Sequence, residues 1–314
     1  MESTVHIPVL MNEVLAVFKD NLSGEKLKFF DGTLGGAGHT VGLLELFSDS
    51  FVVAFDQDLK AIERASHKLN SFAPRVELHH ANFRSVSQLL PRKKFDGLLL
   101  DLGISSDQLD NPERGFSFKA KEKLDMRMNQ NQGATALELL NTLSLKELAR
   151  VFSQGGVRNL SLKLAQEILE QRPIADAEQF ISICSSVLDS PRQRRLRGGK
   201  EKHPATVPYQ ALRIEVNDEF GAIKEFLDSA QLLVSPGAVL AVITFHSLED
   251  ELVTKKFRSW DKVGSPSRYL PEGKKIGEHL TQKPVEPSQE EILRNPRSRS
   301  ARLRAFKFED SQKV

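Results

Sequence analysis

Four short apolar runs, each ending in a polar residue and separated from the next by a helical pattern, constrain the fold more than any other feature of the chain. They are Leu27 to Asp31, Phe51 to Asp56, Val76 to His80 and Phe95 to Asp101, with helices expected near 39–47, 58–70 and 84–90. Strands that alternate with helices pair in parallel, because the chain must cross back over the sheet between them. The expectation is an α/β fold, with these runs forming half of a Rossmann-like doubly wound sheet.

After Gly103 the rhythm changes. Residues 104–133 are polar and turn-rich, and 134–190 show only helical periods such as Leu137, Leu140, Leu145 and Leu148. The chain therefore divides into a first sheet part over 1–107, an inserted mainly helical domain over 108–205, and a second sheet part over 206–314. Thr206 and Pro208 open a long helix with apolar positions Leu212, Val216, Phe220, Ile223 and Leu227. Val239 to Phe245 is the next buried strand, His246 sits at the turn, and Ser247 with Asp250 fits the start of a further helix. Residues 259–298 read as an extended surface excursion before a last strand, Arg302 to Phe308, and no internal repeat is evident.

Bulk charge is nearly balanced, with 44 Lys and Arg against 42 Asp and Glu, so its distribution carries the information. Residues 192–202 hold six basic groups and one acid, and 294–304 hold five arginines and no acid. Elsewhere 33 basic face 41 acidic residues, the pattern of an acidic body with two basic grips. The single cysteine, Cys184, can form neither an internal disulfide nor a thiolate zinc site, and reads as inert core. The longest apolar stretch, Leu232 to Phe245, is broken by Ser235, Pro236 and Gly237 and falls short of the roughly 20 residues of a membrane helix. The start, MESTVHIP, does not read as a secretory signal, so a cytoplasmic protein with no membrane association and no metal is expected.

The first strand runs into Gly32, Gly35, Gly36 and Gly38 and then a helix, a loop able to present unhindered N–H groups to a ligand. The dinucleotide pattern Gly-x-Gly-x-x-Gly does not fit, because Val41 stands where Gly36 and Gly38 would need a third small residue. Asp56 ends the second strand, where an acid reaches the ribose hydroxyls of a nucleoside, and Asp101 ends the fourth at the mouth of the same crevice. An adenosine-bearing ligand without a dinucleotide loop points to S-adenosylmethionine.

From here the residues stop being generic. HIPVLMNEVL at 6–15, DGTLGGAGHT at 31–40, DGLLLDLGISSDQLDNPERGFSF at 96–118, LDMRM at 124–128, HPATVPYQALRIEVNDE at 203–219, ITFHSLEDE at 243–251 and NPRSRSARLR at 295–304 resemble the RsmH (MraW) methyltransferases of the bacterial small ribosomal subunit. Their order and spacing match along nearly the whole chain. The resemblance implies a class I S-adenosylmethionine-dependent methyltransferase fold with an inserted helical domain. The implied reaction is methylation of N4 of a cytidine in the decoding region of 16S ribosomal RNA, within the small ribosomal subunit. It places cofactor contacts on Ala37, Gly38, His39, Asp56, Phe83, Asp101 and Gln108. Asp56 would hold the ribose and Phe83 would offer an apolar face to adenine. A homodimer is left open. Ala37 replaces a frequent glycine of the family, and QGGVRN at 154–159 lacks its usual acidic pair.

A cytosine exocyclic amine is a poor nucleophile because its lone pair is delocalised, so alignment and a proton acceptor are needed. Asp101 is the expected catalytic acceptor and His246 the second candidate. Tyr209, Phe116 and Phe118 are candidate stacking partners for an extruded base. If the arginines of both grips engaged about six phosphates, affinity would fall with log salt at a slope near −4. A nicotinamide-dependent oxidoreductase is disfavoured by the glycine spacing, and a DNA amino-methyltransferase by the absence of any Pro-Pro loop. Another RNA as substrate, or a non-catalytic assembly factor, is the remaining alternative.

Overall fold

The structure, a computed structural model, describes residues 8–117, 123–189, 203–261 and 275–309. The chain forms two compact units, one of residues 1–103 with 220–314 and the other of residues 104–219.

The first unit is built on seven strands: β1 Lys28–Asp31, β2 Phe51–Asp56, β3 Val76–His80, β4 Phe95–Asp101, β5 Val234–Thr244, β6 Gly277–His279 and β7 Arg302–Phe308. Their order across the sheet is β3-β2-β1-β4-β5-β7-β6. The pairs from β3 to β5 are parallel, as expected, whereas β7 runs antiparallel to both β5 and β6. Side chains alternate between two cores because the strand period is two. Phe30, Val53, Phe55, Leu98, Leu100, Leu240 and Val242 enter one core, with Phe226 and Phe257 from covering helices. Phe29, Val52, Ala54, Leu99, Val239, Ala241 and Ile243 enter the other, under Val14, Phe18 and Leu43. Burial on both faces explains why these strands read as continuous apolar runs. The order reverses between β1 and β4, so the ends of these strands, Asp31 and Asp101, flank the switch point where ligands of such sheets bind.

The helical unit packs Leu140, Leu148, Phe152, Leu164, Ile168, Phe180, Tyr209 and Leu212 into one core, with the buried Cys184 among them. Ser144 and Glu147, and likewise Thr135 and Glu138, cap two of its helices reciprocally. Gly155, in the segment that departs from the family, leaves room for Ala211: a Cβ there would lie 2.2 Å from that alanine's own.

Three expectations are corrected here. The helix expected to run on from Thr206 breaks at Asp218, whose left-handed backbone (φ 45°) separates Thr206–Asn217 from Glu219–Leu233. Helix Thr206–Asn217 belongs to the helical unit through Tyr209, Ala211 and Leu212, so the boundaries expected at 107/108 and 205/206 fall at 103/104 and 219/220. The surface excursion also contains the short strand β6 and the helix Gln289–Arg294.

Candidate active site

The end of β1 feeds a loop whose hydrogen bonds are fixed from several directions. Gly32 N–H donates to the Leu99 carbonyl and Leu34 N–H to that of Phe55, which spreads the loop across the ends of β4 and β2. Gly35 (φ 48°) and Ala37 (φ 59°) both take the left-handed conformation. It costs glycine nothing and alanine a modest amount, so the replaced family glycine is tolerated with some strain. The helix Gly38–Leu46 then begins with Ala37 as its cap residue, and its first N–H groups point out of the helix end. Gly38 is needed for close approach: a Cβ there would lie 2.1 Å from Pro8 Cγ. Residues 8–10 thus lie against the loop, held by His39 Nε2 to the Val9 carbonyl (2.9 Å) and by Leu10 N–H to Glu291 Oε1 (2.9 Å).

Three carboxylates end three strands here, and their partners differ. Asp31 is buried and accepts from Thr33 N–H (3.1 Å) and Thr40 Oγ (2.7 Å), tying the strand end to the helix Gly38–Leu46. Asp56 accepts from Gly35 N–H on one oxygen and Asp58 N–H on the other, both at 2.8 Å. Burial pushes both acids up to about 6, against the lowering effect of these bonds. Each Asp56 oxygen keeps a second lone pair, which suits the two hydroxyls of a ribose.

Asp101 is the exception. Its backbone N–H donates to Thr33 Oγ at 2.6 Å, which fixes the residue without engaging its carboxylate. Among the described residues Oδ1 has no hydrogen-bond partner, and Oδ2 lies 3.7 Å from His39 Nδ1. Burial, then the charges of Asp31 and Glu249, push this carboxyl up to about 8.

His246, the second candidate, has another task. Its Nδ1 accepts Glu249 N–H (3.3 Å), while Glu249 Oε2 accepts the N–H groups of Phe245 (2.8 Å) and His246 (3.3 Å). This is a capping box for the helix Ser247–Asp261, one residue earlier than the Ser247 and Asp250 pair expected from the sequence. Because Nδ1 accepts, neutral His246 carries its proton on Nε2, which lies 3.0 Å from Glu249 Oε1.

Phe83 is only 8% exposed and forms a T-shaped pair with Phe226 in the core, so little of its surface is open to a ligand. Gln108 lies in the helical unit, where its side chain closes a capping box with Ser105. Phe116 and Tyr209 are buried in that unit's core and are not stacking platforms; Phe118 lies outside the described residues. The grip at 192–202 also lies outside them. In the grip at 294–304, Arg304 is spent internally: its guanidinium makes a two-pronged pair with Asp250 at 2.8 and 2.9 Å. Arg302 lies 3.6 Å from Asp250 and 3.8 Å from Glu286, and Arg294 lies 3.6 Å from Glu290; Arg294, Arg297 and Arg299 have exposed side chains. Sequence reasoning missed Thr33, Thr40 and the covering segment 8–10, for which only the motif strings gave a signal.

The model of the MraW methylase family matches residues 3–309. The chain belongs to this family. A relative from a Nitratiruptor species, described as ribosomal RNA small subunit methyltransferase H, is 40% identical over 97% of this chain and 99% of its own. One from Aliarcobacter butzleri with the same description is 39% identical over 97% and 99%. This member of the MraW family is accordingly an S-adenosylmethionine-dependent methyltransferase. The site suits that cofactor on its own evidence. It combines N–H groups at a glycine-rich helix start, a carboxylate with lone pairs to spare, and a buried carboxylate oxygen without a partner. Among the described residues no helix is long and apolar enough to cross a membrane.

Proposed function

We propose that this methyltransferase modifies N4 of a cytidine in 16S ribosomal RNA carried by the small ribosomal subunit, with Asp101 accepting the proton that the amine loses. The unpartnered Oδ1 of Asp101 at the switch point carries the mechanistic part, since no other acid of the strand ends has an oxygen without a partner. The description of the relatives as ribosomal RNA small subunit methyltransferases supports the ribosomal substrate.

When bound, S-adenosylmethionine supplies an activated methyl group on a sulfonium. The N–H groups of Gly38 and His39 would hold its amino-acid end beside Ala37, whose own N–H is donated to the Leu34 carbonyl, and Asp56 would hold its ribose, with Phe83 lining the adenine side. Transfer of that methyl group to the amine would release one proton from the nitrogen, and Asp101 Oδ1 would accept it. Burial raises the proton affinity of this carboxyl, so it must first be ionised, and once ionised it is a stronger base than an ordinary aspartate for a proton that becomes acidic only as the N–C bond forms. Fixing reactants in attack geometry can contribute about 7–11 kcal/mol in the best intramolecular cases, which is why the loop is held so rigidly.

The test is transfer of labelled methyl to purified small subunits lacking the modification, with the product nucleoside identified. N4-methylcytidine that is absent with Asp101→Asn and with Asp56→Ala is expected. Cofactor binding without labelling of subunits would refute the substrate, and full activity in Asp101→Asn would refute the acceptor.

A further inference from the structure

His39 does more than the glycine loop requires of it. Its ring is almost buried, with Nε2 against the Val9 carbonyl at 2.9 Å and Nδ1 toward Asp101 Oδ2 at 3.7 Å. A carbonyl can only accept, so Nε2 carries a proton. In the neutral ring Nδ1 is therefore a lone pair facing a carboxyl group. Two lone pairs facing each other in a buried site repel, so one proton belongs between them, on either Oδ2 or Nδ1.

We propose that His39 and Asp101 form a single proton-holding pair, in which the Val9 carbonyl fixes the tautomer that lets His39 Nδ1 take the Asp101 proton and so frees this carboxylate to act. The inference rests on Asp101 being the acceptor and answers a difficulty in that role. A carboxyl pushed up to about 8 is nine-tenths protonated at pH 7 and cannot accept. Passing its proton to Nδ1 breaks one O–H bond and forms one N–H bond, leaving a carboxylate beside an imidazolium. Oδ1 then takes the amine proton, and the pair returns one proton to solvent after turnover. The charged or titratable groups acting on Asp101 are Asp31 from β1 and Glu249 from the helix Ser247–Asp261, both opposing ionisation, and His39 from the helix Gly38–Leu46. Of these three, His39 alone becomes positively charged on taking a proton and so favours the carboxylate form.

Two measurements on the full-length protein test the pair. Nitrogen NMR of the histidine-labelled, cofactor-free protein should show the His39 ring titrating at least one pH unit lower in Asp101→Asn than in the wild type. His39→Gln keeps a donor for the Val9 carbonyl but cannot take a proton. At saturating cofactor its turnover relative to the wild type should be several-fold lower at pH 7 than at pH 9, a pH-dependent deficit that a cofactor-contact role alone would not give. A His39 titration indifferent to Asp101→Asn, or a deficit in His39→Gln that is equal at pH 7 and pH 9, would overturn the pair while leaving Asp101 as acceptor. Full activity in Asp101→Asn would remove the acceptor, and the relay with it, even if the two groups titrate together.

Discussion

Asp101→Asn should stabilise the cofactor-free protein at neutral pH while removing its activity, and the size of the gain follows from the burial of one carboxyl group. An aspartate raised from 3.8 to about 8 keeps, in the folded state, a proton that the unfolded chain has already released. The folded state thus binds more protons, and stability is lost as pH climbs from about 4 to about 8. Each unit of pH in that window costs about 1.4 kcal/mol, so at pH 7 the wild type forgoes up to about 4 kcal/mol. Asparagine has the same shape and no charge to desolvate. Proton uptake by His39 recovers part of the cost, so 4 kcal/mol is a ceiling. A quarter of it is still measurable: for a unit of about 200 residues, 1 kcal/mol moves the melting midpoint by roughly 2–4 °C. Asp31 and Asp56, raised to about 6, are common to both proteins and cancel in the comparison. Thermal unfolding of both proteins from pH 4 to pH 9 is the assay. The midpoints should coincide near pH 4 and diverge above it, with the variant higher. A variant that melts at or below the wild type at pH 8 would refute the reasoning, because it would mean that the carboxylate is satisfied in the fold.

Asp250→Ala strands the Arg304 guanidinium, only 11% exposed, and should cost about 3–5 kcal/mol in urea unfolding; replacing both residues by apolar ones should recover most of it. Gly38→Ala drives a methyl group into Pro8, an overpacking of about 1–3 kcal/mol that lifts the Val9 carbonyl from His39. Calorimetry should show cofactor affinity weakened about tenfold or more, with partial rescue by Pro8→Gly. For RNA, Arg299→Ala should reduce the magnitude of the salt slope by about 0.7. Because Arg302 and Arg304 are engaged internally, the arginines of 294–304 should account for a slope of at most about −2.

The sheet was legible where strands are long and buried: 51–56, 95–101 and 302–308 stand where the apolar runs put them, and 76–80, a half-buried edge strand, was legible from its place between two helical patterns. β6 was not, because three residues in a polar stretch carry no period and their pairing is supplied by β7. The break at Asp218 was hidden since apolar residues keep the same helical step on either side of it. Capping misled by one position because Ser247 and His246 both precede an acid at the right distance, and only geometry shows that Glu249 is the one that reaches back. The arginines at 302 and 304 looked like a nucleic-acid grip because their partner, Asp250, is more than fifty residues away in the chain.

The candidate site poses the same problem in its sharpest form. Asp31, Asp56 and Asp101 are one residue type at the ends of three neighbouring parallel strands, and nothing in their sequence contexts ranks them. Hydrogen bonding does. Asp31 is consumed in tying Thr33 and Thr40 to the strand end, and Asp56 holds Gly35 and Asp58 while keeping lone pairs for a ligand. Thr33, the residue that donates to Asp31, also receives the backbone of Asp101, so the loop positions Asp101 without using its carboxylate. A buried acid left in that state destabilises the fold, and such a cost persists where function requires it. The division of labour proposed for three identical side chains therefore rests on which of their oxygens the backbone has already claimed, and on that basis Asp101 is the one proposed for the chemistry.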